Sequence, residues 1–277
     1  MTARWQTGTV ACGGEEIYYE VSGDDDLPAI MLTHGMGGTH AAWFQQVPTL
    51  AANGFRVITW DCRGFGNSTF TSGVHGSAAA VADMAAVLDA TGTPGAHLVG
   101  QSMGGWWVTA FTVAHPARTH SLTLSNTVGG LWTTALLEYF REWTTKAAAN
   151  FGAANFGAEQ RIGAHAAISP TFVERDPARA FLYQELNTFH TPPMATVGPA
   201  LIGDAVAHKD LDATGVPVLV ITSTDDVQFP PHPVIDSAQR LANASIVEVA
   251  GAGHSTYFER PDLYNDALIA FIEKAGR

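Results

Sequence analysis

Three residues of this chain, Ser102, His254 and Asp226, form a set that can activate a serine hydroxyl as a nucleophile. Ser102 is the middle residue of the sequence GQSMG at positions 100–104, directly after the apolar run at 96–99. A serine attacks a carbonyl when a sharp turn between a strand and a helix raises its hydroxyl toward a base, and the two glycines leave room for such a turn. The pattern therefore predicts a nucleophilic serine. The alternative is a glycine-rich turn in which the serine is incidental.

His254 is the predicted base and ends the sequence GAGH at positions 251–254. It follows a predicted strand at 245–249, and catalytic groups of open α/β sheets collect at the carboxyl ends of strands. The alternative is an ordinary loop histidine, but the flanking glycines and Pro261 favour the base.

The acid that orients this base is expected after the predicted strand at 216–222, where Asp225 and Asp226 are adjacent. We assign Asp226, because Pro230 follows it four positions later, as is usual where such a loop turns into the next helix. Asp225 remains the alternative. Asn126, at the end of another predicted strand, cannot supply the charge that an imidazolium needs.

Donors for an oxyanion are predicted in the sequence HGMGG at positions 34–38, after a predicted strand at 29–33. Glycines let a backbone N–H approach a reacting carbonyl closely. We assign the N–H groups of Met36 and Met103, and expect a structural role for His34. The alternative is a glycine turn that only ends the strand.

Short apolar runs alternate with helical patterns along the chain, and this alternation predicts a mostly parallel sheet covered by helices. The predicted strands are 17–21, 29–33, 55–60, 96–99, 121–125, 216–222 and 245–249, and the predicted helices are 39–52, 77–90, 103–115, 233–242 and 262–274.

The alternation breaks between the core segments 1–128 and 212–277, and residues 129–211 are predicted to form an inserted helical cap that includes a helix at 133–149. Prolines and glycines would divide the cap into short helices. Its aromatic residues Trp132, Tyr139, Trp143 and Phe172 are candidates for the substrate pocket. Four arginines could bind a substrate carboxylate, although surface solvation is the simpler role for each: Arg141, Arg161, Arg175 and Arg179.

Composition limits the class of protein. A chain of 277 residues with 46% hydrophobic content fits one α/β domain with an insertion. Its net charge of −12 argues against nucleic acid as a partner. The absence of a long apolar run argues against a signal peptide or a membrane partner and favours a cytoplasmic location, and the sparse charge allows a homo-oligomer. The two cysteines are expected to be free thiols, and no spacing of histidines predicts a metal site.

Five segments, in order along the chain, resemble those of α/β-hydrolase-fold proteins with an inserted cap. They are HGMGG at 34–38, DCRGFGNS at 61–68, GQSMG at 100–104, Asp226, and GH at 253–254 with ERP at 259–261. The resemblance covers about residues 27–272 and implies a mostly parallel central sheet flanked by helices. LSNT at 124–127, SPTF at 169–172 and HKDL at 208–211 resemble segments of 3-oxoadipate enol-lactonases and related small esterases.

These patterns predict a serine hydrolase that cleaves a small-molecule carboxylic ester or lactone through an acyl-enzyme, with no cofactor and no metal. One alternative is a C–C bond hydrolase of a ring-cleavage product, although such enzymes tend to carry a tryptophan where this chain has Ser255. Another is a non-catalytic ligand-binding protein on the same fold. Families with an aspartate nucleophile are disfavoured by Ser102.

Overall fold

A single β-sheet runs through the part of the chain that the structure describes. In this computed structural model the described residues are 4–151, 163, 165–189, 192 and 194–276. The strands of the sheet are β1 (Trp5–Cys12), β2 (Glu15–Ser22), β3 (Ala29–Thr33), β4 (Arg56–Trp60), β5 (Ala96–Gln101), β6 (Thr119–Ser125), β7 (Val218–Ser223) and β8 (Ala244–Val249).

The sheet is mixed, and its antiparallel pairs lie at one edge. The strand order is β1-β2-β4-β3-β5-β6-β7-β8. β2 pairs antiparallel with both β1 and β4, whereas the neighbours from β4 to β8 are all parallel. The carboxyl ends of these parallel strands therefore meet at one edge of the sheet, which is where ligand sites form in α/β folds. The predicted site residues follow β3, β5, β7 and β8 at this edge.

Helices fill the connections between the strands. The described α-helices are α1 (Gln46–Ala52), α2 (Ser77–Ala90), α3 (Met103–Ala114), α4 (Thr134–Phe151), α5 (Pro170–Arg175), α6 (Pro177–Leu186), α7 (Met194–Gly203), α8 (His208–Asp212), α9 (Pro231–Ala238), α10 (Thr256–Glu259) and α11 (Pro261–Ala275). The described residues 129–151, 163, 165–189, 192 and 194–212, which contain α4 to α8 and lie between β6 and β7, are called the insert below.

The two faces of the sheet are covered by different helices. α2 and α3 pack on one face, where Met84 and Trp107 are fully buried. α1 and α11 pack on the other, where Leu50 and Leu268 are fully buried. Each face of the sheet thus forms its own apolar layer with the helices above it. No helix within the described ranges is long and apolar enough to cross a lipid bilayer.

The predicted strands are all present with small shifts at their ends, but β1 was not predicted. The predicted helix at 39–52 is wrong in part, because a 3₁₀ turn at His40–Trp43 precedes α1. Pro48 has no N–H and fits only the first turn of a helix, so α1 cannot continue from residue 39. The predicted helix at 233–242 ends earlier, at Ala238, where the N–H groups of Arg240 and Leu241 bond three residues back.

Candidate active site

Ser102 lies between β5 and α3 in a strained backbone conformation. Its φ is +48° and its ψ is −120°, and a conformation this rare for a residue with a side chain costs about 1–3 kcal/mol. Two hydrogen bonds join the turn to the end of β6 and the residues after it. The Ser102 N–H donates to the Ser125 carbonyl at 3.0 Å, and the Ser102 carbonyl accepts from Thr127 Oγ1 at 2.8 Å. The end of β6 and the residues after it therefore fix the serine.

Two glycines allow this turn to pack against neighbouring backbone, as the GQSMG motif predicts. A Cβ on Gly100 would lie 2.5 Å from the Gly104 carbonyl oxygen, and a Cβ on Gly104 would lie 2.5 Å from that of Thr33. A larger residue at either position would force α3 away from the sheet.

His254 and Asp226 meet in the loops that follow β8 and β7. His254 Nδ1 lies 3.0 Å from Asp226 Oδ2, and the side chains are only 4% and 0% exposed. Because an ionised carboxylate only accepts hydrogen bonds, Nδ1 carries the proton, and in the neutral ring Nε2 presents its lone pair. Nε2 is buried and has no hydrogen-bond partner among the described residues. The imidazole is therefore arranged to accept a proton from a group brought within reach.

The Asp226 carboxylate is held by donors besides His254. Oδ1 accepts from the N–H groups of Gln228 at 2.8 Å and Phe229 at 2.9 Å. Oδ2 also accepts from Asn126 Nδ2 at 3.1 Å. Asp225, the alternative acid, is exposed, and its carboxylate accepts from the adjacent Thr224 hydroxyl at 2.8 Å. The structure therefore brings Asp226, and not Asp225, to His254.

The loop after β3 contains the predicted oxyanion donors. Met36 and Met103 both border the cavity that Ser102 borders, and the N–H of neither residue bonds to another described residue. His34 holds this loop, since its Nδ1 donates to the Gly35 carbonyl at 2.7 Å and its Nε2 accepts from the Cys62 N–H at 3.0 Å. Burial lowers the pKa of His34, which favours the neutral ring that such bonding needs.

A small apolar cavity of about 40 Å³ lies against Ser102. A volume of this size holds roughly three water-sized groups. The insert contributes part of its wall through α4 and α7, and α3 contributes Trp106. The residues that border the cavity are Met36, Ser102, Met103, Trp106, Phe140, Trp143, Leu201, Gln228 and Phe229.

The four aromatic residues predicted for the pocket have different positions. Trp143 borders the cavity. Trp132 lies behind it, with its ring 5.6 Å from that of Trp106, and the Tyr139 hydroxyl donates to the Val227 carbonyl at 2.7 Å.

Phe172 does not border this cavity, which corrects its predicted place in the pocket. Its ring is fully buried, 6.0 Å from that of Phe258. It belongs to the apolar layer that contains Leu50 and Leu268, on the face of the sheet covered by α1 and α11. The reason is that Ser169, which caps α5, bonds to Glu259, so α5 lies over α10 and away from Ser102.

Another cavity, of about 340 Å³, lies at the amino ends of the parallel strands, where Asp25, Arg56 and His120 border it. It shares no residue with the cavity against Ser102. Within the ranges that the structure covers, no three or more His, Cys, Asp or Glu side chains are grouped to hold a metal ion.

Sequence reasoning missed the amides that support the site. Gln101 Nε2 donates to the His254 carbonyl at 3.1 Å, and Asn126 was considered only as an acid. Gln101 adjoins Ser102, and Asn126 directly follows the last residue of β6. Their positions were therefore visible in the sequence, but their partners, more than 90 residues away along the chain, were not.

These features, a serine at a strained strand–helix turn and a His–Asp pair at the same sheet edge, define a hydrolase of the α/β type. A family model described as the alpha/beta hydrolase fold matches residues 28–261. The chain belongs to this family and is a hydrolase.

Solved structures of similar fold include enzymes named for ester and lactone cleavage. An esterase of Thermogutta terrifontis superposes with a TM-score of 0.80 at 24% identity, covering 98% of this chain and 100% of its own. The enol-lactonase of Burkholderia xenovorans LB400 gives a TM-score of 0.77 at 24% identity, with 96% and 100% covered. At these identities the likeness shows the fold.

Curated relatives carry two other activity names, both assigned provisionally. The carbamate hydrolase RutD of Caulobacter sp. (strain K31) is 29% identical, over 96% of this chain and 98% of the relative. The non-heme bromoperoxidase BpoC of Mycobacterium tuberculosis is 29% identical, over 92% and 96%. The chain is thus similar over nearly its full length to family members named for different reactions.

Proposed function

We propose that this protein hydrolyses a carboxylic ester or lactone, with Ser102 as nucleophile, His254 as general base and Asp226 as the orienting acid. The observation that carries the proposal is the 3.0 Å hydrogen bond between His254 Nδ1 and Asp226 Oδ2, which in the neutral ring puts the lone pair on Nε2, an atom without a described partner. The imidazole ring lies 5.8 Å from that of Phe229, which borders the same cavity as Ser102.

In the first half of the reaction, Ser102 Oγ attacks the substrate carbonyl carbon and its proton passes to His254 Nε2. The carbonyl electrons move to oxygen, and the N–H groups of Met36 and Met103 stabilise the resulting oxyanion. The tetrahedral intermediate then collapses. The C–O bond to the alcohol breaks, the leaving oxygen takes the proton from His254, and an ester to Ser102 remains.

In the second half, a water molecule gives a proton to His254 Nε2 as its oxygen attacks the acyl carbon. Collapse of this intermediate releases the carboxylic acid, and Ser102 Oγ regains its proton from the imidazolium. Asp226 stays ionised throughout and stabilises the positive ring. No residue is changed at the end of the cycle.

The cavity favours a short, uncharged acyl group. No Lys or Arg borders it among the described residues, and an unpaired carboxylate in such an apolar space would be costly. Two arginines of the insert bind elsewhere: Arg175 donates to the Glu259 carbonyl at 3.3 Å, and Arg179 pairs with Asp176 at 2.6 Å. Arg141 is exposed, and Arg161 lies outside the described residues.

The decisive experiment compares the unaltered protein with Ser102→Ala on p-nitrophenyl acetate, butyrate and octanoate and on γ-butyrolactone. A p-nitrophenyl N-methylcarbamate is included because a relative is named for carbamate hydrolysis. We expect Ser102→Ala to lower kcat at least about 1,000-fold on every substrate that is turned over. Ser245→Ala, at an exposed serine of β8, is the matched control and should be fully active. Hydrolysis that survives in Ser102→Ala, or none in the unaltered protein, would refute the proposal.

A further inference from the structure

Glu259 is a buried side chain for which the proposed reaction has no direct use. It is the last residue of α10 and is 1% exposed. Its Oε1 accepts from the Gly253 N–H at 2.9 Å and from the Ser169 N–H at 3.1 Å. Its Oε2 accepts from the Ser169 hydroxyl at 2.6 Å. One carboxyl group therefore joins Gly253, the residue before His254, to the insert.

The insert also contacts Gly253 directly. A Cβ on Gly253 would lie 2.7 Å from the Ser169 nitrogen and 3.0 Å from the Ile168 carbonyl carbon. Ser169 is the N-cap of α5, and its Oγ accepts from the Phe172 N–H at 3.2 Å. A shift of α5 would therefore carry the Glu259 contacts with it.

The residue after His254 is held from the insert as well. The hydroxyls of Tyr183, in α6, and Ser255 lie 2.8 Å apart. Tyr183 packs edge-on against His165, with 5.0 Å between the ring centroids. The insert thus fixes the chain on both sides of His254, and Glu259 is the charged member of this contact.

We propose that Glu259 is a positioning residue, whose carboxyl group ties the insert to the His254 loop and so holds the imidazole in line with Ser102. The proposal rests on the proposed function, because it assigns a consequence for catalysis to this contact. Precise placement matters, since a displacement of about 1 Å in an active site can cost on the order of 100-fold in rate.

Two substitutions separate the hydrogen bonds from the charge. Burial raises the pKa of Glu259, against the hydrogen bonds from Ser169 and Gly253, so the charge itself is costly here. Glu259→Gln keeps an acceptor for both N–H groups without that charge. Glu259→Ala leaves both buried N–H groups without an acceptor.

The control is Glu15→Ala, which removes another buried glutamate with similar partners. Glu15 is 2% exposed and accepts from the Thr69 hydroxyl and the Thr71 and Ser72 N–H groups. It lies on β2, near the opposite edge of the sheet from β8. A loss of stability alone should therefore appear in both alanine variants.

Kinetics on p-nitrophenyl butyrate, with the folded fraction measured by circular dichroism and the reactive sites counted by fluorophosphonate labelling of Ser102 run to completion, give the first test. For Glu259→Ala we expect kcat per labelled site to fall about 10- to 100-fold, with KM within about 3-fold. Glu259→Gln should recover kcat to within about 5-fold of the unaltered protein, and Glu15→Ala should keep it. A kcat per site that is unchanged in Glu259→Ala, or equally reduced in Glu15→Ala, would overturn the proposal.

A second measurement does not need turnover. The Nδ1 proton between His254 and Asp226 should give a far-downfield ¹H NMR resonance in the unaltered protein, and we expect this resonance to shift or vanish in Glu259→Ala and to stay in Glu15→Ala. If the unaltered protein neither labels nor hydrolyses any substrate, the proposed function fails, and the Glu259 proposal is then decided by this resonance alone. If Glu259→Ala and Glu15→Ala give the same resonance, the proposal that Glu259 positions His254 is overturned.

Discussion

Asn126 links the Asp226 carboxylate to the loop that carries His254. Its Nδ2 lies 2.8 Å from Ser223 Oγ and 3.1 Å from Asp226 Oδ2. Ser223 Oγ in turn donates to the Gly253 carbonyl at 2.6 Å. Asn126 is also one of two residues other than glycine with a positive φ in the described chain, at +49°. Its amide therefore sits at a strained strand end, where it can fix the direction of the acid.

Replacing Asn126 by glycine tests the amide without adding backbone strain, because glycine adopts a positive φ freely. We expect kcat of Asn126→Gly on p-nitrophenyl butyrate to fall at least about 10-fold, since a hydrogen bond to a charged group contributes about 1.5–3 kcal/mol. Asn126→Ala should show the same loss of kcat. Its free energy of unfolding should be lower than that of Asn126→Gly, because alanine is strained at this positive φ. Full activity of the glycine variant would show that the amide is dispensable.

At the scale of elements, what could be predicted depended on whether the signal was local. The turn at Ser102 is determined by glycines two residues away, so its motif was sufficient to predict it. β1 was missed because it is a mostly exposed edge strand that pairs only with β2, and its sequence lacks a clear apolar alternation. The pocket residues of the insert could not be sorted from sequence, because whether an aromatic ring such as Phe140 or Phe172 reaches the cavity depends on how the helices pack.

Phe140 and Phe172 provide a matched pair for testing the role of the insert in substrate choice. Phe140, in α4, borders the cavity and stacks on Phe229 with 5.3 Å between centroids and 9° between planes. Phe140→Leu should enlarge the cavity and raise the kcat/KM ratio of octanoate to acetate p-nitrophenyl esters about 3- to 10-fold. Phe172→Leu removes the same volume from a buried site elsewhere in the insert and should leave this ratio within about 2-fold. Equal shifts in both variants would mean that α4 does not limit the acyl chain.

For the whole molecule, buried charge is distributed so that the core depends on a few well-bonded carboxylates. Only 14% of residues are charged, yet Asp83 and Arg63 form a buried ion pair at 2.7 Å. The Asp61 carboxylate accepts from the N–H groups of His40 and Asn67. Burial alone would raise the pKa of Asp61, but its interactions with His40, His34 and Asn67 outweigh burial and lower it, so this carboxylate stabilises the fold while it is ionised and makes stability depend on pH.

Glu15 gives a measurable case of this dependence. Burial would raise the pKa of Glu15, but hydrogen bonds from Thr69, Ser72 and Thr71 outweigh it and lower the pKa to about 2 from 4.5. Because the folded-state pKa is the lower one, the stabilisation from Glu15 is fully present above about pH 4.5 and is lost as the pH falls toward 2. Glu15→Gln should lower the free energy of unfolding at pH 7 by about 1–3 kcal/mol. Urea unfolding at pH 7, 4 and 3 should show this difference shrinking in acid, and a constant difference would mean that the loss comes from packing and not from the carboxylate.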